Sequence, residues 1–552
     1  MNALPLRDFL TDVGYHPLFW SIAFLPLFLP ILAVVAWCGV RARVVGQLRF
    51  VAAGLGAVLL AALGLAMWTN LRSEAFPDHV QPAVASIAAL FQRGAPIYHE
   101  LTSPERYSLV YGPLLFAIVG GFQALLGPTV FATKLPGTLA ALASLVLLHL
   151  VLAAPKRRAE ALAWTGLAAA FFLHSFHLAL AARGDAFLLL AVTLGLWAAT
   201  RARSRSAVLL GVCVGVAVNL KLHAFAYFLP VLAIAARQHW SRRARIGGAV
   251  AAVAVAVLPF LVFPQVSLAH YLAWMKVASR HGFGVEEYRS SLEWAAALLF
   301  PALFAAALLA VRTPDFARTW LGRERLWLVA FGAALLLIVV PASKFGAGKH
   351  HLLPFVPVVL HFTARLAAFA FGSVRFRGAG PVLAGAVGLS WVAGCSLAAL
   401  HAANFVFQTA RAGHAEAVQC RDDLLRLRTE HAGSVLLVAP GGDESYDHTY
   451  GRFRLIAEGM PAGVDPCAYM DFVRGGVGAI DVPGMTQALA ARAGQPVLWL
   501  VAKGGEPFSL RTYYPPFGPL FPEGLSGEFA RQFVRVRSTE FFDVYRLRDS
   551  PL

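Results

Sequence analysis

Leu109-Val-Tyr-Gly-Pro-Leu-Leu-Phe-Ala-Ile-Val-Gly-Gly-Phe-Gln-Ala-Leu-Leu126 is an apolar run, and whether it crosses a bilayer decides the orientation of everything after it. It is short for a span, opens with Tyr111-Gly112-Pro113 and holds Gly120-Gly121, which suits a re-entrant or interfacial helix. The basic joints settle the choice through the positive-inside rule. If the run stays on the outer side, Arg41/Arg43/Arg49, Lys156/Arg157/Arg158, Arg201/Arg203/Arg205, Arg237/Arg242/Arg243/Arg245, Arg312/Arg318/Arg323/Arg325 and Arg375/Arg377 all fall inside. If it crosses, most of those clusters move outside.

The rest of the chain supports a membrane setting. It has 552 residues, 58% hydrophobic and 14% charged, with a mean hydropathy of +0.64, too apolar for a water-soluble globule of this length. The net charge of +17 does not indicate nucleic acid, because the arginines sit in short joints between apolar runs rather than on a basic soluble face. With about 20 apolar residues needed per helix, twelve spans are expected: 18–40, 50–69, 129–153, 159–177, 186–200, 207–220, 222–236, 246–263, 292–311, 326–341, 350–371 and 381–405. No cleavable signal peptide is read in residues 1–16, so the first span is expected to be retained. High Ala and Arg with low Asp and Lys point to a GC-rich bacterial coding sequence, which makes the outer side periplasmic.

Two acidic turns interrupt these spans, Glu74-Ala-Phe-Pro-Asp78-His79 and Arg183-Gly-Asp185, and the topology above puts both on the outer side. Carboxylates at the lip of a bilayer are costly and mark substrate or ion paths. After Asp78, Val80, Val84, Ile87, Leu90 and Phe91 share one helical face, which predicts an amphipathic helix lying along the membrane. Glu74 and Glu100 read as solvated loop residues.

Beyond Phe405 the pattern turns charged and alternating, with strands expected at 434–439, 496–501 and 541–547 and helices at 415–429 and 485–493. A small soluble α/β domain is therefore expected at the C-terminus. The division is 1–48, an additional N-terminal span and its inner joint; 49–408, the membrane domain with outer loop 70–128; and 409–552, the α/β domain. Gly441-Gly442 and Gly475-Gly476-Val477-Gly478 match no phosphate-binding fingerprint. Cys420 and Cys467 both lie in the tail, where an oxidising compartment permits a disulfide, and no Cys or His spacing reads as a zinc site.

The order of landmarks resembles the GT-C superfamily of membrane glycosyltransferases, nearest to the protein O-mannosyltransferase and lipid A aminoarabinose transferase group. Those proteins carry an acidic motif after an early span, an amphipathic helix, a G-x-P-Y turn, an aromatic-Pro-Pro-Leu helix start and an R-L-P opening. Here the places are taken by Asp78-His79, Gly94-Ala-Pro96-Ile-Tyr98, Tyr111-Gly112-Pro113-Leu114 and Lys134-Leu135-Pro136. Arg183-Gly-Asp185 is the second acidic motif, while Asn219-Leu-Lys221-Leu-His223 and Lys349-His350-His351-Leu-Leu-Pro354 stand for the later lysine landmarks. His79, Lys134 and His351 depart from the family's Glu, Arg and Tyr.

The resemblance implies an inverting transferase that takes a sugar from a polyprenyl-phosphate-linked donor to a glycan, lipid or protein acceptor in the envelope. Asp78 is the candidate base, and a single base without a covalent step inverts the anomeric carbon; its structural alternative is an N-cap for the following helix. Asp185 has four readings: orienting the acceptor, holding Arg183, binding a divalent cation, or a helix cap paired locally with Arg183. Lys344, Lys349, His350, His351 and Arg183 are candidate ligands of the donor phosphate, with interfacial snorkelling as the alternative for the loop. His79, Tyr107, Tyr111, Lys221 and His223 are candidate substrate-binding residues, Lys221 and His223 because they interrupt apolar runs at membrane depth. A divalent cation remains open as cofactor. The competing functions are a transporter or flippase of a lipid-linked sugar, disfavoured by the lack of an internal repeat, and a non-catalytic assembly factor.

Overall fold

The computed structural model describes residues 42–153, 158–175, 182–312, 317–345, 347–373, 379–441, 451–477, 480–511 and 518–548. Within them, 7 helices are long and apolar enough to cross a bilayer, and they cover the runs expected at 50–69, 129–153, 246–263, 292–311, 326–341, 350–371 and 381–405. Four other expected spans are shorter helices: α5 (Arg158–His174), α6 (Gly184–Ala199), α7 (Arg205–Leu220) and the pair formed by a 3-10 turn (Leu222–Phe228) and α8 (Leu229–Ala235). The span expected at 18–40 lies outside the described residues.

The bundle begins with α1 (Ala42–Arg72), followed by α2 (Val80–Gln92), α3 (Pro113–Leu126) and α4 (Val130–Leu152). At 1.5 Å per residue, the 14 residues of α3 reach about 21 Å, short of a ~30 Å hydrocarbon core. The run that decided the topology is a short helix packed on α2. Helix α9 (Arg242–Val262) leaves Val250, Val253, Leu258 and Leu261 exposed, an arrangement that lipid tolerates and water does not. Small residues bring spans together: a Cβ on Gly166 would fall 2.1 Å from Gly56 Cα, joining α5 to α1, and one on Gly211 would fall 1.9 Å from Gly248 O, joining α7 to α9.

After α9 come α10 (Leu268–Ser279), α11 (Val285–Arg312), α12 (Gly322–Ala342), a 3-10 turn (Lys349–Phe355) and α13 (Val356–Ser373). Where α12 starts, far from the acidic turns, buried Glu324 binds Arg237 at 2.9 Å and Arg365 at 2.7 Å, tying three helices at that end. Helix α14 (Ala379–Glu430) is 52 residues long and unbroken, so the helix expected at 415–429 is a continuation of the last span. Its end enters the tail core through Leu424 and Leu427.

The tail holds a four-stranded sheet of order β1-β2-β4-β3, made of β1 (Val435–Ala439), β2 (Val497–Ala502), β3 (Phe533–Ser538) and β4 (Phe542–Leu547). β1 and β2 run parallel, as a crossover through helices α15 (Arg452–Ala457), α16 (Pro466–Arg474) and α17 (Val482–Ala493) requires; β4 is antiparallel to β2 and β3. Strand β2 is buried along its whole length, which explains its continuous apolar run. Edge strand β3 alternates Arg and Val with most positions exposed, so no hydrophobic run announces it; α18 (Leu525–Gln532) leads into it.

The tail folds back onto the loop between α1 and α4, and this overturns three expectations. Helix α2 does not lie on a membrane surface: Gln81 to Phe91 are all buried, because α3 covers one side and α15 the other. Glu74 is not solvated but pairs with Arg454 and lies 3.8 Å from Arg421. Cys420 and Cys467 are buried thiols in different hydrophobic clusters, so they form no disulfide with each other. Glu100 is exposed, as expected.

Candidate active site

The first acidic turn is shaped by Lys134. Its Nζ, fully buried in α4, donates to Asn70 O at 2.9 Å, Ser73 O at 3.0 Å and Ala75 O at 2.6 Å. Three donors on one ammonium satisfy carbonyls at and just beyond the end of α1. Ser73 Oγ also donates to Ala410 O of α14 at 2.7 Å. The chain then turns at Pro77, and Asp78 begins α2 by accepting at Oδ1 from Val80 N at 2.7 Å and Gln81 N at 3.0 Å. The capping role is real, and the other carboxylate oxygen faces Arg183.

Arg183 Nε lies 3.0 Å from Asp78 Oδ2, as an ion contact rather than an aligned hydrogen bond. Gln81 Nε2 approaches the same oxygen at a long 3.3 Å. Arg183 is the extended residue just before α6, and Asp185 lies in that helix's first turn, where the macrodipole favours a carboxylate. Asp185 does not pair with Arg183: its Oδ1 takes Lys221 Nζ at 2.6 Å, with both side chains buried. Among the described residues, Asp185 Oδ2 has no hydrogen-bond partner. The two acidic turns thus stand side by side, joined by residue 183.

The motifs named in the sequence are bonded to one another. Tyr98 Oη donates to Tyr111 O at 2.6 Å. Gly112 N donates to Leu220 O at 3.0 Å, and Leu114 N to Asn219 Oδ1 at 2.9 Å, so the turn before α3 docks on the end of α7. A Cβ on Gly112 would fall 1.4 Å from Asn219 O, so this approach needs glycine. Lys221 breaks the helix there with φ −145°, ψ 124°, and its ammonium sits 5.5 Å from the Tyr111 ring centre. Tyr227 Oη donates to His351 O at 2.6 Å, and the rings of His223 and His351 stack at 5.5 Å. His350 is buried with its ring 4.8 Å from that of His351, while Lys349 and Lys344 are half-buried. Gly348, at φ +136°, makes the turn that presents this basic segment.

The structure thus brings together Asp78, His79, Arg183, Asp185, Tyr111, Lys221, His223 and His351, with Lys344 within electrostatic reach of His223. Tyr107 is placed differently: its hydroxyl donates to Pro96 O at 2.7 Å and its ring packs on His99, so it supports the loop's own shape. Among the described residues no three His, Cys, Asp or Glu side chains converge as a metal-holding group.

Several neighbours come from the tail and carry no motif that reading the chain would flag. Cys467 Sγ lies 3.1 Å from His79 O, and Arg474 is close enough to influence the His79 ring. Burial pushes the His79 imidazole down to about 4; Asp78 opposes this, while Arg183 and Arg474 reinforce it. Burial also pushes the Asp471 carboxyl up to about 7, beside His281, whose ring burial lowers to about 4. Both imidazoles are therefore neutral at neutral pH.

No protein-family model matches the chain, and no curated protein matches it in sequence. Its structure is similar to that of ArnT from Cupriavidus metallidurans in the apo state, with a TM-score of 0.53 and 14% identity over 89% of this chain and 97% of that one. It is equally similar to ArnT bound to undecaprenyl phosphate, with a TM-score of 0.52 and 14% identity over 90% and 99%. The chain, with its seven helices apolar enough to cross a membrane, thus has the fold that ArnT has, along nearly its whole length.

Proposed function

We propose that the chain is an inverting glycosyltransferase that moves a sugar from a polyprenyl-phosphate-linked donor to a glycan, lipid or protein acceptor at the periplasmic face of a bacterial inner membrane. The observation that carries the reading is the joining of the two acidic turns through Arg183 beside buried Lys221, which sets carboxylates and cations together at one end of the bundle. Capture of undecaprenyl phosphate by ArnT, which shares the fold, supports the donor class. In this reading residues 49–408 form the catalytic membrane domain, 1–48 precede it with one further span, and 409–552 form an outer α/β domain.

Asp78 is the base. Its Oδ1 is committed to two backbone donors, which fix the carboxylate, whereas Oδ2 meets, among the described residues, an unaligned ion contact and one long hydrogen bond. An acceptor hydroxyl that displaces Gln81 from Oδ2 can deliver its proton there. As the acceptor oxygen bonds to the anomeric carbon, the sugar–phosphate C–O bond breaks and the lipid phosphate leaves, and this oxocarbenium-like transition state asks for only a modest base. Lys221, Lys344 and the segment 349–351 face the developing negative charge on the leaving phosphate, where a low dielectric makes each cation effective. Asp185 keeps Lys221 charged and oriented, and Tyr111 lies against that ammonium.

Purified protein given a polyprenyl-phosphate sugar and envelope acceptors tests this directly. Asp78→Asn keeps an oxygen for the Val80 and Gln81 amides but loses the proton acceptor, so turnover is expected to fall about 10²- to 10⁴-fold with the melting temperature little changed. Undiminished turnover in that variant removes Asp78 as base.

A further inference from the structure

Helix α16 carries Cys467, Asp471 and Arg474 at i, i+4 and i+7, one stripe of a single face. Each member touches a different segment of the bundle. Cys467 Sγ meets His79 O of the first acidic turn at 3.1 Å. Asp471 O accepts from His281 Nε2 at 3.2 Å, and Arg280 Nη1 donates to Gly475 O at 3.2 Å, anchoring the stripe to the segment after α10. Arg474 stands 5.9 Å from the Phe345 ring centre, in the basic segment after α12.

That segment is itself locked to the α10 side. Gly284 N donates to Ser343 O at 2.7 Å, Phe345 N to Gly282 O at 3.2 Å, and Lys344 Nζ approaches Ala278 O and Ser279 O at 3.4 Å. Lys344 and Arg474 both act electrostatically on His281, and Lys344 acts also on His223, which in turn feels Lys221. The cations Lys221, Lys344 and Arg474 therefore follow one another from the buried Asp185 pair out to the tail. Asp471 lies beside Arg474 on the same helix, and Asp78 acts with Arg474 on the His79 ring.

Resting on the transferase reading above, we propose that the tail helix α16 completes the donor site, with Arg474 as a phosphate-binding residue that acts together with Lys344 on the phosphate of the polyprenyl-linked donor. A guanidinium held over an aromatic ring at the edge of a buried cationic line is suited to a phosphate oxygen, and a lipid donor reaching Lys221 passes this edge. The tail is then part of the binding machinery.

The test uses the full-length protein in lipid nanodiscs and compares binding of undecaprenyl phosphate with that of undecaprenol, which has the same tail without the phosphate. Arg474→Ala is expected to weaken binding of the phosphate about ten-fold or more and leave the alcohol unchanged, with Arg474→Lys in between. If Arg474 serves only to neutralise Asp471, the double variant Asp471→Asn/Arg474→Ala restores wild-type binding. That restoration, or equal binding by Arg474→Ala alone, overturns the role of the tail while leaving the transferase reading standing. A wild-type protein with no preference for the phosphate over the alcohol overturns both.

Discussion

The turns before α2 and α6 each present an aspartate to a cation, yet the two pairs are built differently. Asp78 is fixed by backbone amides and meets Arg183 without hydrogen-bond alignment. Asp185 is fully buried, bonded to Lys221 at 2.6 Å, with its second oxygen unpartnered among the described residues. In the proposed reaction the first is the base, at a position the backbone guarantees; the second is a buried pair in which each member depends on the other. Under that proposal, similar motifs in sequence divide into chemistry and support.

Breaking the second pair is expected to have the largest structural effect. Asp185→Ala strands the Lys221 ammonium inside the bundle, and a buried charge left without its partner costs about 3–5 kcal/mol. Thermal unfolding in detergent reads this as a marked fall in midpoint, and Asp185→Ala/Lys221→Met should recover most of it. A double variant as unstable as the single one means that the pair is not what holds α6 to the end of α7. For the first pair, Asp78→Ala removes a cap worth about 1 kcal/mol together with the unaligned contact to buried Arg183, so its loss should be smaller than that of Asp185→Ala, while turnover is abolished. If Asp78→Ala proves the less stable of the two, the division is reversed.

The docking between motifs gives a third way to sharpen the comparison. Gly112→Ala places a methyl group into Asn219 O, so the turn must back away, at about 1–3 kcal/mol. Because Lys221 follows Asn219 by two residues, the variant should also lower turnover although residue 112 touches no charged group. Unimpaired turnover would show that the turn before α3 is packing alone.

A fourth test is in pH. His79, His99 and His281 have pKa values near 4 in the folded chain, each chiefly through burial, against an ordinary 6.5. The unfolded or detached state binds more protons between these values, so stability present above pH 6.5 falls as the pH drops towards 4. Asp471, raised to about 7, works in the opposite sense across its own range, gaining stability as the pH falls from 7. Three histidines against one aspartate leave a net loss on acidification, and the protection factors of the α2 amides, taken against the intrinsic exchange rate at each pH, should fall between pH 6.5 and 4. Protection that stays flat across this range would mean that the tail and loop do not separate.

Much of the bundle was legible because its causes are local. Apolar runs, basic joints and Pro or Gly at turns act within a few residues, so the short helix 113–126 and the acidic turns could be placed from neighbours alone. Strands β1 and β2 announced themselves by continuous apolar residues and β4 by alternation, while β3, with Arg535 and Arg537 facing water at a sheet edge, did not. Among site residues, Lys221 stood out because it interrupts an apolar run, but nothing nearby named Asp185 as its partner. Tyr107 looked equally suited to a pocket, and its hydroxyl turned out to face Pro96.

By itself, then, the order of residues determined that this chain lives in a membrane, where its helices start and stop, and which few polar groups are too costly there to be idle. The tertiary structure alone decided the pairing: Arg183 with Asp78 and Lys221 with Asp185, α2 covered by the tail rather than by lipid, Cys420 and Cys467 apart, and Arg474 brought from the far end of the chain to the His79 turn. The reason is physical. Hydropathy and turn propensity are properties of short segments, whereas an ion pair or a buried face depends on which distant surface the chain folds against, and no residue carries that information in its immediate neighbours.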